Sequence, residues 1–561
     1  MGSRPAAGSA WLITAVLLGL TLWITWPLPV ELTTSLPGDY GDPVFVSWAM
    51  GWVGGTLTQT LGNPGSLAGL WDANIFFPES QALAFSEHFI AQSVMVWPVY
   101  WATGNALLAY NLAFLASFVL TGLGTFLLAR ALTGSAAGAF AAALIASFNE
   151  YRLVYELAHL HVRSIHWFPF TLFALHRYFE TDARRYLAYA AGSLIALNLS
   201  SIYYMAYCAP FVLIFALCEM VHWQRWRTPR TWLELWATAA LVLLATAPSL
   251  LPYLEVQQRL GIVRAPSEVI GYSATLDHYR IALPGMLPAL ALGSVALLGL
   301  VFDRDVRLRW ATGVSLFLLL LSFWLSLGPT PRAGGQALGF PGLYRVLYDY
   351  VPGYQGLRVP SRFAALVFIF MGVLASVGVA VLERRAKKLA LAAMAATVTI
   401  FVSLAAPSAM PLNQPLPSEG LAPPPPYLTP SARLPSIYRA VESLRPGAIL
   451  AEFPFGDPWY ELRYMYFATT HRRRLLNGYS GIFPPSYLAR QRVLARPALD
   501  PERAAAAVAA ATHVIVHRQA WTDQTAAVIG AWLETLGARN IAEADGAVLY
   551  EMAVREDFAV R

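Results

Sequence analysis

Charge and cysteine are both scarce in this chain. Of its 561 residues only 13% are Asp, Glu, Lys or Arg, and two are cysteine. Those two, Cys208 and Cys218, lie inside one apolar run, so they imply no disulfide framework, cannot make a zinc site, and read as packing residues. No Gly-rich loop with a following Lys occurs, which sets aside direct nucleotide hydrolysis. Neither a His-Glu-x-x-His helix nor a Gly-x-Ser-x-Gly elbow is present, which sets aside the metalloprotease and serine-hydrolase patterns. No repeat of fixed period is seen.

Apolar residues fill the space that charge leaves. They make up 57% of the chain, with a mean hydropathy of +0.49. Apolar runs near 20 residues recur between short basic or Gly/Pro-rich breaks, which predicts an α-helical polytopic membrane protein of about eleven transmembrane helices. The first run, Trp11 to Val30, follows Arg4 but has no small-residue cleavage site after it, and reads as a retained helix rather than a signal peptide. The net charge of +6 reflects topology rather than an anionic partner, and no nucleic acid is implied.

The basic breaks set the orientation. Arg177, Arg184 and Arg185 form the first, and Arg225, Arg227 and Arg230 the second. Arg304, Arg307 and Arg309 follow, then Arg384, Arg385, Lys387 and Lys388. Positive-inside logic places all four on the cytoplasmic side of a plasma (inner) membrane, with the N-terminus inside. The stretch Asn149 to Ser164, the segments Glu255 to Tyr279 and Pro329 to Pro360, and everything after about Ala406 then lie outside. For that parity the short, Pro98-containing stretch His88 to Thr103 must be interfacial or re-entrant. It falls within a long first external loop, 31–104, which also holds an amphipathic-looking segment from Phe45 to Leu61.

Residues 1–406 thus form the transmembrane domain and 407–432 a Pro-rich, extended linker. A soluble extracytoplasmic α/β domain follows over 433–561, large enough to bury its own core. Its pattern predicts helices over 434–444, 501–511 and 522–536 and strands over 448–453, 513–517 and 547–551, with an aromatic and basic loop after the first strand.

Three polar groups fall on the predicted outer face. The first is Leu36-Pro-Gly-Asp39-Tyr-Gly-Asp42-Pro-Val, with Glu87 and His88 at the far end of the same loop. A carboxylate at a membrane face can act as a general base, and it can equally cap a helix or make an Asx turn beside Pro and Gly. The second is Glu150-Tyr-Arg152, Glu156, then His159-Leu-His161-Val-Arg163 and His166. Arg and His donors suit a phosphate, although an interfacial basic belt has the same composition. The third is Arg358-Val-Pro-Ser-Arg362, where two arginines beside a Pro-set turn suit bidentate phosphate binding and snorkelling is the plainer alternative.

An acidic motif after helix one, a His-x-His cluster, a late Arg-x-Pro-x-Arg stretch and a C-terminal external domain together resemble the bacterial integral-membrane glycosyltransferases of the C superfamily. The likeness covers the architecture of roughly the first 400 residues. It implies a polyprenyl-phosphate sugar donor, a glycan, lipid or protein acceptor, and membrane lipids as partners. It also implies that Asp39 or Asp42 is catalytic, where many members show an adjacent Asp-Glu pair instead of Asp-Tyr-Gly-Asp. Arg358, Arg362, His159, His161 and Arg163 would bind the donor phosphate, with Glu87, His88, Arg152 and Glu156 in support. The tail segments Asn477-Gly-Tyr-Ser-Gly481 and Phe483-Pro-Pro-Ser-Tyr487 resemble those of uncharacterised members. No cofactor is implied, and a divalent metal is neither required nor excluded. The alternatives are a non-enzymatic lipid-linked glycan transporter or flippase, or an envelope-assembly scaffold.

Overall fold

The computed structural model describes residues 7–404, 409–415, 420–424, 428 and 434–553. Half of the predicted linker 407–432 therefore lies outside the described residues. The chain divides into two compact units, one of Met1–Trp26 with Phe114–Ala409 and one of Pro27–Ala113 with Met410–Arg561. The first external loop, assigned from sequence to the membrane part, thus groups with the C-terminal segment.

Six helices among the described residues are long and apolar enough to cross a membrane: Ala106–Thr133, Ile202–His222, Pro229–Leu260, Pro266–Phe302, Val306–Ser326 and Pro360–Arg385. The sequence count of about eleven also took in shorter elements, such as Ala136–Ser147 (12 residues), Trp167–Thr181 (15 residues) and Arg185–Asn198 (14 residues). In the first unit Ala364–Arg385 is apolar all round, and every residue from Ala364 to Val381 is buried, as expected of a helix surrounded by others. It packs on Leu276–Phe302, Ala136–Ser147 and Val306–Ser326. Small residues permit that approach. A Cβ on Gly378 would lie 1.9 Å from the Leu292 carbonyl oxygen. Pro229–Leu260 is the opposite case, exposing Leu233, Trp236, Leu241 and Leu244.

The second unit holds a five-stranded sheet. Its strands are β1 (Ile449–Phe453), β2 (Arg474–Leu475), β3 (His513–His517), β4 (Arg539–Ala544) and β5 (Ala547–Glu551), in the order β2-β1-β3-β5-β4. β1 runs parallel to β2 and β3, while β5 runs antiparallel to β3 and β4. β3 is buried throughout and β1 almost so, and both read as short apolar runs. β4 is a mostly exposed edge, which is why its polar sequence gave no strand signal.

Two sequence expectations are corrected here. The aromatic stretch after β1 is a helix, Pro458–His471, not a loop. The Asp457 side chain caps it by accepting from the Trp459 and Tyr460 amides at 3.1 and 3.2 Å, and Pro458 takes the first position. Nor is 45–61 an amphipathic surface segment. Helix Asp42–Thr60 is buried on every side from Pro43 to Gly54 and packs against Pro458–His471 and Ile90–Thr103. Gly51 makes the first contact possible, since a Cβ there would already touch the Thr469 methyl at 3.1 Å.

Candidate functional site

In the first unit, three connectors separated by long stretches of chain meet at one end. Helix Ala136–Ser147 stops where Asn149 turns its amide back onto the Ile145 and Ala146 carbonyls, both at 3.1 Å. A π-helical turn, Tyr151–Tyr155, and a short helix, Leu160–Arg163, follow. Glu156 faces the His159 Nδ1 at 2.9 Å and accepts from the Tyr151 hydroxyl at 3.3 Å. His159 is one-third exposed, and its ring meets His161 edge-on at 5.7 Å. His161 in turn lies 6.5 Å from the Tyr203 ring. The Arg362 guanidinium sits 4.2 Å over that same ring.

Arg358 completes the group from the extended segment before Pro360. It pairs with Glu268 at 3.4 Å and stands 5.2 Å over the Tyr272 ring. Glu268 also receives Arg264 at 3.4 Å, so one carboxylate is shared by two guanidiniums. The Ser361 amide donates to the Tyr272 carbonyl at 3.3 Å, which fixes the turn between the two arginines.

This end is electropositive. Burial pushes Glu156 up, but the His159 hydrogen bond and the charges of His159 and Arg362 outweigh it and hold the carboxyl below its usual range. Burial, with Arg362, His159 and Arg358 nearby, drives His161 well below the usual imidazole value. A neutral His161 keeps one N–H donor, and an arriving anion would favour its second proton. A cleft of about 350 Å³ in the same unit is lined by Phe148, Asn149, Glu150, Leu153, Ile281 and Phe368, among others. Burial raises the Glu150 carboxyl above its usual range.

Two of the expected phosphate ligands or supports, Arg163 and Arg152, hold each other's backbone. Arg163 is fully buried, with its guanidinium 4.4 and 4.2 Å over the Phe114 and Phe118 rings and donating to the Arg152 carbonyl. Arg152 donates to the Arg163 and Ser117 carbonyls, both at 3.1 Å. Each arginine ties down the backbone beside the other, so this pair builds the turn.

The acidic loop belongs to the second unit. The Asp39 carboxylate accepts from the Gly41 amide at 2.8 Å, an Asx turn, and Asp42 is the first residue of helix Asp42–Thr60. Both are half-buried. The loop is pinned from both sides. Asn111 donates to the Leu32 and Ser35 carbonyls at 2.8 and 2.7 Å. Residues 411–414 pair with 36–40 through the backbone, and the Asn413 side chain accepts from the Leu36 amide at 2.8 Å and donates to Ser35 at 2.9 Å. His88 is fully buried, accepts from the Ile90 amide at 3.1 Å and lies against Trp71, and burial lowers it to about 3. Glu87 beside it is also buried.

The tail motif is structural. Asn477 accepts from the Glu452 amide at 2.7 Å and donates to the Glu452 carbonyl and the Glu461 carboxylate at 2.9 and 3.0 Å. Glu461 also accepts from the Gly456 and Gly478 amides, each at 2.6 Å. Tyr460, Tyr464, Tyr466 and Phe467, which a bound acceptor could have stacked on, are buried in the core of this unit.

Sequence reasoning missed Tyr203, Tyr272, Arg264 and Glu268 around the arginines, and Asn413 behind the acidic loop. Tyr272, Arg264 and Glu268 fall in Glu255 to Tyr279, already placed on the outer face, which was the available signal. Among the described residues, no three His, Cys, Asp or Glu side chains are placed to hold a metal ion.

No family model and no curated protein matches this chain. The fold is similar to the crystal structure of ArnT from Cupriavidus metallidurans in the apo state, at 13% identity and a TM-score of 0.46, covering 97% of this chain and 98% of that one. It is also similar to the apo oligosaccharyltransferase of Archaeoglobus fulgidus, at 10% identity and a TM-score of 0.47, covering 90% and 69%. The same enzyme with Zn and sulfate gives 12% identity and a TM-score of 0.44.

Proposed function

We propose that this chain is a membrane glycosyltransferase that moves a sugar, with inversion, from a polyprenyl-phosphate donor to a glycan, lipid or protein acceptor on the outer face of the plasma membrane. The observation that carries the reading is the convergence of Arg358, Arg362, His159 and His161 at one end of the helical unit, with Glu268 and Glu156 as the neighbouring carboxylates. A guanidinium already set against an aromatic ring and a Pro-fixed backbone loses little freedom when it meets a phosphate.

In the reaction an acceptor hydroxyl oxygen bonds to the anomeric carbon as the bond from that carbon to the donor phosphate breaks, and the electron pair leaves with the phosphate. The arginines and histidines stabilise that charge. A carboxylate takes the hydroxyl proton, a role the resemblance gives to Asp39 or Asp42. The leaving group is already a phosphate, so the reaction needs no nucleotide.

Purified protein given a polyprenyl-phosphate sugar and a membrane extract as acceptor source should transfer the sugar. One of Asp39→Asn and Asp42→Asn should lower the rate by about a hundredfold or more. Wild-type rates in both variants would remove these residues from the base role. Lipid-linked sugar crossing vesicle membranes without transfer would favour a flippase instead.

A further inference from the structure

At the opposite end of the helical unit, two connectors are locked together by a network of carboxylates. Glu234 accepts from the Tyr178 hydroxyl at 2.6 Å and pairs with Arg184 at 2.7 Å and Arg230 at 2.8 Å. Asp182 pairs with Arg225 and, at 3.7 Å, with Arg230. Glu180 is taken up by Arg177. Six arginines stand at this corner (Arg177, Arg184, Arg185, Arg225, Arg227 and Arg230) against three carboxylates that pair with them, while a fourth, the buried Glu219, is taken up by His176 and the Trp223 indole. The three carboxylates are spent on four of those arginines. Among the described residues, Arg185 and Arg227 pair with no carboxylate; each is exposed and laid over an aromatic ring, Tyr186 at 5.1 Å and Trp226 at 4.4 Å.

The surroundings are apolar and exposed. Trp223, Trp226, Trp232 and Trp236 all show large surface here, with Trp236 at 69%. Trp232 donates to the Trp226 carbonyl at 2.9 Å, which joins the connector to helix Pro229–Leu260. That helix then presents Leu233, Leu241 and Leu244 outward. Indole rings at this density mark head-group depth, and the leucines beyond them suit acyl chains.

We infer that this corner is a binding site for the head group of an anionic phospholipid. Arg185 and Arg227 meet the phosphate, the tryptophans flank the glycerol region, and the outward leucines of Pro229–Leu260 take the tails. A soluble phosphate would use the arginines but leave that apolar surface unmatched. The site is independent of sugar transfer.

Full-length protein, equilibrated with equal amounts of phosphatidylglycerol and phosphatidylcholine in mixed micelles and read by native mass spectrometry, should retain phosphatidylglycerol. The double variant Arg185→Gln and Arg227→Gln should retain it roughly 30-fold less well, from about a fivefold loss per arginine near a lipid surface. Arg503→Gln, an exposed arginine of the other unit, should retain it as the wild type does. Equal retention of the two lipids by the wild type would overturn the site, as would retention by the double variant within about twofold of wild type, well short of the loss expected for two arginines. Displacement of the lipid by inorganic phosphate at matched concentration would show a free-phosphate site and overturn the lipid assignment.

Discussion

The two units spend their polar side chains in opposite ways. In the C-terminal unit, Glu452, Glu461 and Asn477 are buried with nearly all of their hydrogen-bonding capacity turned inward: Glu452 accepts from Tyr438 and His517, each at 2.8 Å, and Glu461 holds the Asn477-Gly478 turn. In the helical unit, Arg358 and His159 keep about one-third of their side-chain surface, and two guanidiniums divide one carboxylate. A buried, satisfied network specifies a shape. A partly open one with surplus cations is a place where an anion can be bound. The motif that looked most family-like in the tail is therefore the less chemical of the two.

The sharpest way to break that contrast is to remove one member from each side. Asn477→Ala strands the Glu452 amide and leaves Glu461 one donor short inside a dry core, which should cost about 3 kcal/mol and lower the melting temperature by about 10 °C. Arg358→Gln should leave the melting temperature within about 2 °C of wild type, because that side chain keeps about one-third of its surface and Glu268 retains Arg264 as a partner, while on the proposed reading sugar transfer falls about a hundredfold. Were the two phenotypes exchanged, with Arg358→Gln unfolding the protein and Asn477→Ala only slowing it, that division of labour would be wrong.

A second probe uses pH. Burial pushes the Glu461 carboxyl up to about 8 against the hydrogen bonds of Gly456, Asn477 and Gly478 that pull it down. The folded state therefore holds a proton that the unfolded chain releases near the ordinary glutamate value. The stability this adds is complete below about 4.5 and is lost as pH rises through about 8. The melting temperature should fall across that window by several degrees, and Glu461→Gln should flatten the slope whatever its own stability.

The sequence was most readable where one pattern decided the outcome. The strands predicted over 448–453, 513–517 and 547–551 stand at Ile449–Phe453, His513–His517 and Ala547–Glu551, because buried strands are short apolar runs between breakers. Helix Pro458–His471 was passed over because it is buried on nearly every side, which erases the 3.6-residue stripe. Its Asp457-Pro458 start was the cue available. Arg358, Arg362, His159 and His161 could be picked out because a cation at a span mouth is conspicuous. Tyr203 and Glu268 could not, since what makes them partners is a fold that brings together segments about 90 to 160 residues apart.

Backbone pairing is the least legible link of all, and Asn413 is its clearest case. Residues 411–414 join the acidic loop through main-chain hydrogen bonds, from the Gly38 amide to the Pro411 carbonyl at 2.8 Å and from the Gln414 amide to the Gly38 carbonyl at 2.9 Å, and such bonds need no particular side chain. The Asn413 side chain adds the two bonds that fix where the pairing begins, and the residue takes a left-handed conformation (φ 52°) that asparagine tolerates well. Asn413→Ala removes both bonds and disfavours that conformation, at a cost of about 1.5 kcal/mol confined to this stretch. Amide exchange over Leu36 to Gly41 should then quicken by about tenfold, while amides of the β1–β3 core stay unchanged. Uniform quickening across the unit would mean that the acidic loop is not held locally. In that case the satisfied, shape-giving network would extend from the tail motif out to Asp39 itself, and the line between the structural and the chemical polar groups would have to be redrawn.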